Sequence, residues 1–64
     1  MLAQRGISYE DIAITIRAPT HRERLLDEAN KWIFTRRTRG KDLEVVGYWL
    51  REENTFIVKT AYFV

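Results

Sequence analysis

The chain has 64 residues, no cysteine and a formal net charge of +2 from 11 basic and 9 acidic side chains. That length allows one domain, and the lack of thiols excludes a disulfide framework and a thiolate metal site. No apolar run reaches the roughly 20 residues that cross a bilayer, and the first residues lack the apolar stretch of a signal peptide, so the expectation is a soluble, cytoplasmic protein with no membrane partner.

Gly6 breaks the segment before it. Ser8 is a good N-cap, because its hydroxyl can accept from an orphan backbone N–H of the first turn. Glu10 and Asp11 place negative charge at the positive end of the helix dipole, and Arg17 suits the last turn. Tyr9, Ile12, Ala13 and Ile16 fall at helical spacing and predict one apolar stripe. Pro19 pushes Ala18 out of the α region. The predicted helix covers residues 8 to 17. Residues 20 to 30 support two readings: Thr20 and Glu23 form a capping-box pattern for a second helix, whereas "RERLL" followed by a turn fits a short charged edge strand.

The remainder predicts β structure. "KWIFTRR" is rich in aromatic and β-branched residues, "TRGKD" turns around Gly40, and "LEVVGYWLRE" forms the next strand, in which Gly47 marks a bulge or a close backbone approach. "ENT" is a tight turn, with Asn54 suited to a left-handed conformation, and "FIVKTAYFV" is the last strand. Short turns between neighbours imply an antiparallel meander. The expected fold class is therefore α+β: one or two helices packed on a twisted antiparallel sheet of three to four strands. Strict alternation puts Phe56, Val58, Thr60, Tyr62 and Val64 on one face of the last strand. It puts Ile57, Lys59, Ala61 and Phe63 on the other. Large apolar groups on both faces predict a strand covered on both sides for part of its length. One helix covers one face, so the other is expected to be a site or a partner surface.

Charge is concentrated between residues 31 and 41, where Lys31, Arg36, Arg37, Arg39 and Lys41 stand without an acid. Such a segment is either a solvated turn or a means of drawing in an anion. Phosphate-loop, dinucleotide and metalloprotease patterns are absent. His21 is the single histidine and reads more simply as a surface residue than as a catalyst, with no second histidine to complete a metal site. Glu52 and Glu53, adjacent on a strand, would point to opposite faces and could not act as a pair. What remains is a basic and aromatic set: Arg5, Lys31, Arg36, Arg37, Arg39, Lys41, Lys59, Thr60 and Tyr62, with Trp32 and Trp49. Such residues bind a phosphate backbone and stack bases. They can also support RNA cleavage without metal or cofactor, in which a ribose 2′-hydroxyl attacks its own phosphate and the protein supplies a base, a cation and a proton donor.

"QRGIS" leading into a helix, then "KWIFTRR", "LEVVGYWL" and a terminal "VKTAYFV", resemble a bacterial family of small domains related to RelE-like and BrnT-like toxins. That family belongs to the barnase, EndoU, colicin and RelE group of metal-independent ribonucleases. The resemblance covers about residues 3 to 64. It implies a single RelE-like domain over residues 1–64, with "RERLL" as the first strand of about four and the face opposite the helix open for RNA. It implies a toxin-type endoribonuclease paired with an antitoxin protein, with Arg5, Lys31, Arg37, Thr60 and Tyr62 in catalytic positions and Arg36, Arg39, Lys41 and Lys59 binding RNA. Family members carry a further histidine-bearing segment before the Arg-Gly-Ile motif. This sequence begins four residues before Arg5 and lacks it, so a weakened RNA-binding relative is also implied. The alternative is a non-catalytic module that forms a homodimer or holds a protein partner through its open sheet face.

Overall fold

Ser8 opens the helix α1 (Tyr9–Arg17) with a reciprocal cap. Its hydroxyl accepts from the Asp11 N–H at 3.1 Å, and the Asp11 carboxylate accepts from the Ser8 N–H at 3.4 Å. Two orphan donors are thereby satisfied at one end, and Ala18, ahead of Pro19, closes the other by donating to the Ile14 carbonyl. The predicted stripe is rotated. Ile12 and Thr15 are buried and Ile16 half-buried, while Tyr9 is 82% exposed and Ala13 is exposed. Thr15 can be buried without penalty because its hydroxyl donates to the Asp11 carbonyl at 2.8 Å. Ile7, just ahead of the cap, packs on the core and fixes the entry of the chain.

The computed structural model describes residues 2–3, 6–25 and 30–64. Its strands are β1 (Leu2–Ala3), β2 (His21–Arg24), β3 (Lys31–Thr38), β4 (Lys41–Leu50) and β5 (Thr55–Phe63). They form one sheet in the order β1-β5-β4-β3-β2. β2 to β5 are an antiparallel meander, and the two-residue β1 joins the β5 edge in parallel. The fold is α+β, one helix on a four-stranded antiparallel sheet with this short added edge. The choice left open for residues 20 to 30 resolves to a strand over His21–Arg24, with all four residues exposed. Thr20 does not cap a helix: its N–H and its hydroxyl both go to the Thr35 carbonyl, at 2.8 and 2.9 Å. The remainder of that segment, residues 26–29, lies outside the described residues.

β3 and β4 are joined by Arg39 and Gly40, with φ of 51° and 79°, closing on the Thr38–Lys41 pair. This two-residue turn has the left-handed backbone that matches strand twist. β4 ends at Leu50, earlier than expected, and Glu52 and Glu53 sit exposed in a 3₁₀ turn (Arg51–Glu53) rather than on a strand. Asn54 takes the left-handed position after it, with φ 51°.

The largest correction concerns β5. Its register against β4 slips between Val46 and Gly47: Thr60 faces Val46, but Val58 faces Gly47, so Lys59 is an extra residue. A one-residue slip reverses the facing of everything beyond it. Phe56, Val58, Ala61 and Phe63 therefore share the helix face, and Ile57, Lys59, Thr60 and Tyr62 the open face. The apolar groups that strict alternation divides between two faces lie mostly on one. Gly47 permits the slip: a Cβ there would lie 2.2 Å from the Ile57 carbonyl oxygen and 2.7 Å from the Phe56 ring. Under the helix, Ile12, Leu43, Val45 and Ala61 form the buried core, flanked by Ile7, Ile16, Phe56, Val58 and Phe63.

Candidate functional site on the open sheet face

Antiparallel pairing aligns residues of the open face in rows. The first row runs His21, Thr35, Glu44, Tyr62 across β2 to β5. The next runs Glu23, Ile33, Val46, Thr60, and the third joins Lys31, Tyr48 and Ile57. Neighbouring strands are about 4.8 Å apart, so Glu44 and Tyr62 are within direct reach. Their interaction holds the Tyr62 phenol above its ordinary pKa, first through a hydrogen bond to the Glu44 side chain, then through partial burial and the nearby negative charge. Tyr62 is thus held as a proton donor. Lower on the same face, Lys31 and Lys59 each bring Nζ about 6 Å from the centroid of the Tyr48 ring, at 6.0 and 5.9 Å. Two cations share one aromatic platform, an arrangement that gives each ammonium a favourable quadrupole contact.

Of the residues expected to be catalytic, Lys31, Arg37, Thr60 and Tyr62 share this face, and Arg5 lies outside the described residues. Arg37 pairs with Asp42 at 3.4 Å, both side chains well exposed. Of the residues expected to bind RNA, Lys59 joins the face because of the bulge. The others do not. Arg36 points to the helix side and donates to the Ala18 carbonyl at 2.6 Å. Arg39 donates to the Gly6 carbonyl at 3.3 Å and ion-pairs with Asp11. Lys41 lies 5.8 Å from the Phe63 ring on the helix side. The basic turn is therefore in large part a clasp between hairpin and helix: Arg36 holds the helix C-terminus, where a cation is favoured, and Arg39 holds the N-terminal carboxylate. Trp32 and Trp49 are likewise on the helix face.

Sequence reasoning passed over Glu44 and Tyr48, and set His21 aside as a surface residue. Placing the bulge at Gly47 would have aligned Glu44 with Tyr62. Reading residues 21–24 as a strand would have brought His21 into the same row.

Comparison with protein-family models, with curated proteins and with solved structures finds no match for this chain.

Proposed function

We propose that the domain binds RNA across its open sheet face and cleaves it without a metal, as expected of a RelE-like or BrnT-like toxin-type ribonuclease. The observation that carries this reading is the β5 bulge, which gathers Lys59, Thr60 and Tyr62 beside Lys31 and the Glu44 carboxylate. Cleavage by transesterification asks for a base, a cation and an acid. The Glu44 carboxylate takes the proton of the 2′-hydroxyl as its oxygen attacks phosphorus. The ammonium groups of Lys31 and Lys59 offset the charge that grows on the phosphorane oxygens. The Tyr62 phenol protonates the departing 5′-oxygen, and the proton held by Glu44 then returns along their hydrogen bond to the phenolate. No proton is gained or lost, and both groups end in their starting states. Arg37 and Thr60 lie where they can position the strand.

Purified protein is expected to cleave single-stranded RNA in the presence of EDTA. Tyr62→Phe and Glu44→Gln should each lower the rate about 100-fold or more, within the usual range for a lost acid or base. A wild-type protein inert on every RNA offered would end the enzymatic reading.

A second reading rests on charge. On the open face Lys31, Arg37 and Lys59 are matched in number by Glu23, Asp42 and Glu44, and the Val46 side chain is buried there beside Ile33. A balanced face with an apolar centre also suits a protein partner, an antitoxin or a second copy. RNA binding weakens steeply between 50 and 200 mM salt for any protein that makes several phosphate contacts. An apolar interface on this face would hold or tighten over the same range.

A further inference from the structure

The helix is shorter than the sheet it covers. Nine residues of α1 span about 14 Å, while the ten residues of β4 run about 33 Å. At the end of the helix face where α1 finishes, four rings form a connected group. Trp32 and Phe34 stack with planes 8° apart and centroids 6.1 Å apart, Phe34 meets Phe56 edge-on at 5.2 Å, and Trp49 tilts against Phe56 at 6.2 Å. With Ile16 and Arg22 they line a cleft of about 250 Å³. All four rings are only partly buried, so the group is not closed over as a core would be. Among the described residues Arg22 is the one charged residue in the lining, and Arg24 stands on the same face of β2, opposite Trp32.

We propose that this cleft binds a nucleoside monophosphate, with the base against the rings and the phosphate on the Arg22 guanidinium. The volume is below the roughly 300–1,000 Å³ of drug-sized pockets, which suits one planar ring system rather than a peptide segment. Flat aromatic walls stack any base, since each base has a π face. A guanidinium on one side of the cleft, with no carboxylate among the described lining residues, complements a phosphate by paired donors. The site is on the opposite side of the sheet from Tyr62, so it stands or falls apart from the ribonuclease reading.

The chain's two tryptophans both line the cleft, so their emission reports occupancy without a label. The two indole N–H resonances give a second readout that light absorption by the base does not disturb. Titration with AMP, GMP, CMP and UMP should give saturable changes in both. Adenosine and inorganic phosphate, each with half of the recognised chemistry, should bind about tenfold more weakly than AMP, as expected for the loss of a charged hydrogen-bonding group in the first and of one stacked base in the second. Arg22→Ala, or Arg22→Gln if the first variant does not fold, should weaken AMP about tenfold and leave adenosine unchanged, and Tyr62→Phe should leave both unchanged. Indole resonances that do not move with any monophosphate at millimolar concentration would overturn the proposal. So would an affinity for AMP that survives loss of Arg22, or a response confined to an acidic, aromatic peptide.

Discussion

The two faces of this sheet come from the same strands and do opposite work. On the helix side, Leu43 and Val45 are fully buried and Ala61 is 1% exposed. On the other side, one strand position away, the chain sets out Glu44, Lys59, Thr60 and Tyr62, and even its large apolar residue Ile57 is 49% exposed. Alternation accounts for this contrast on β3 and β4, but on β5 it holds only because one residue is inserted. A small domain that buries little of its surface thus obtains a one-sided core, and the same slip assembles the candidate site on the face left over.

The sharpest way to break the contrast is to remove equal bulk from each face. Leu43→Ala should cost about 3 kcal/mol, the middle of the range for fully buried leucines. In a 64-residue domain, whose stability at the usual ~0.05–0.15 kcal/mol per residue is of order 3–10 kcal/mol, that is a large share. Ile57→Ala, on the open face, should cost about 0.5 kcal/mol. Urea unfolding followed by far-ultraviolet circular dichroism measures both, and equal losses would mean that the open face is as much a core as the covered one.

The bulge itself is tested next. Gly47→Ala places a methyl against the Ile57 carbonyl oxygen and the Phe56 ring, and a backbone atom cannot step aside as a side-chain tip can. The expected loss is about 2 kcal/mol, typical of overpacking. Because the bulge brings Lys59 over Tyr48, the variant should also weaken RNA binding at a temperature where it remains folded. A variant with wild-type stability would show that the close approach is not needed for the slip.

Much of this architecture was legible in the sequence. Helix limits, the turn at Gly40 and the left-handed Asn54 follow from local chemistry: a hydroxyl cap, a proline stop and residues that tolerate positive φ. Gly47 carried its own signal as a site of bulge or close approach. What did not follow was the consequence for facing, because a bulge is a matter of pairing between strands and the sequence of β5 alternates without a break. The role of the basic turn was illegible for a related reason. A run of positive charge reads the same whether it meets solvent, a phosphate or a helix end, and only the fold shows Arg36 and Arg39 reaching 18 and 28 residues back along the chain to Ala18 and Asp11. Arg39 also explains its own unusual place in the turn. A left-handed arginine costs of order 1 kcal/mol, where asparagine would sit more easily, yet asparagine could not reach the helix.

The smallest expected effect is the most specific to the open face. The Tyr62 phenol is held above its ordinary pKa by its hydrogen bond to Glu44, with partial burial and the negative charge of the carboxylate adding to it. The folded protein therefore keeps this proton more tightly than the unfolded chain does, in which the phenol titrates near pH 10. Linkage fixes the sign: the contribution of Tyr62 to stability is complete below about pH 10 and is lost as pH rises through the higher folded value. Tyr62→Phe has no such proton, so its stability should fall less steeply between pH 9 and pH 11 than that of the wild type, with the two curves furthest apart below about pH 10 and converging on the alkaline side. Glu44→Gln should flatten the wild-type slope in the same window, since it removes both the hydrogen-bonding carboxylate and its charge. On the helix face, Phe63→Leu should shift the curve down without changing its slope. If all three variants run parallel to the wild type, the phenol and the carboxylate are not coupled, and the acid–base pair at the centre of the candidate site does not form.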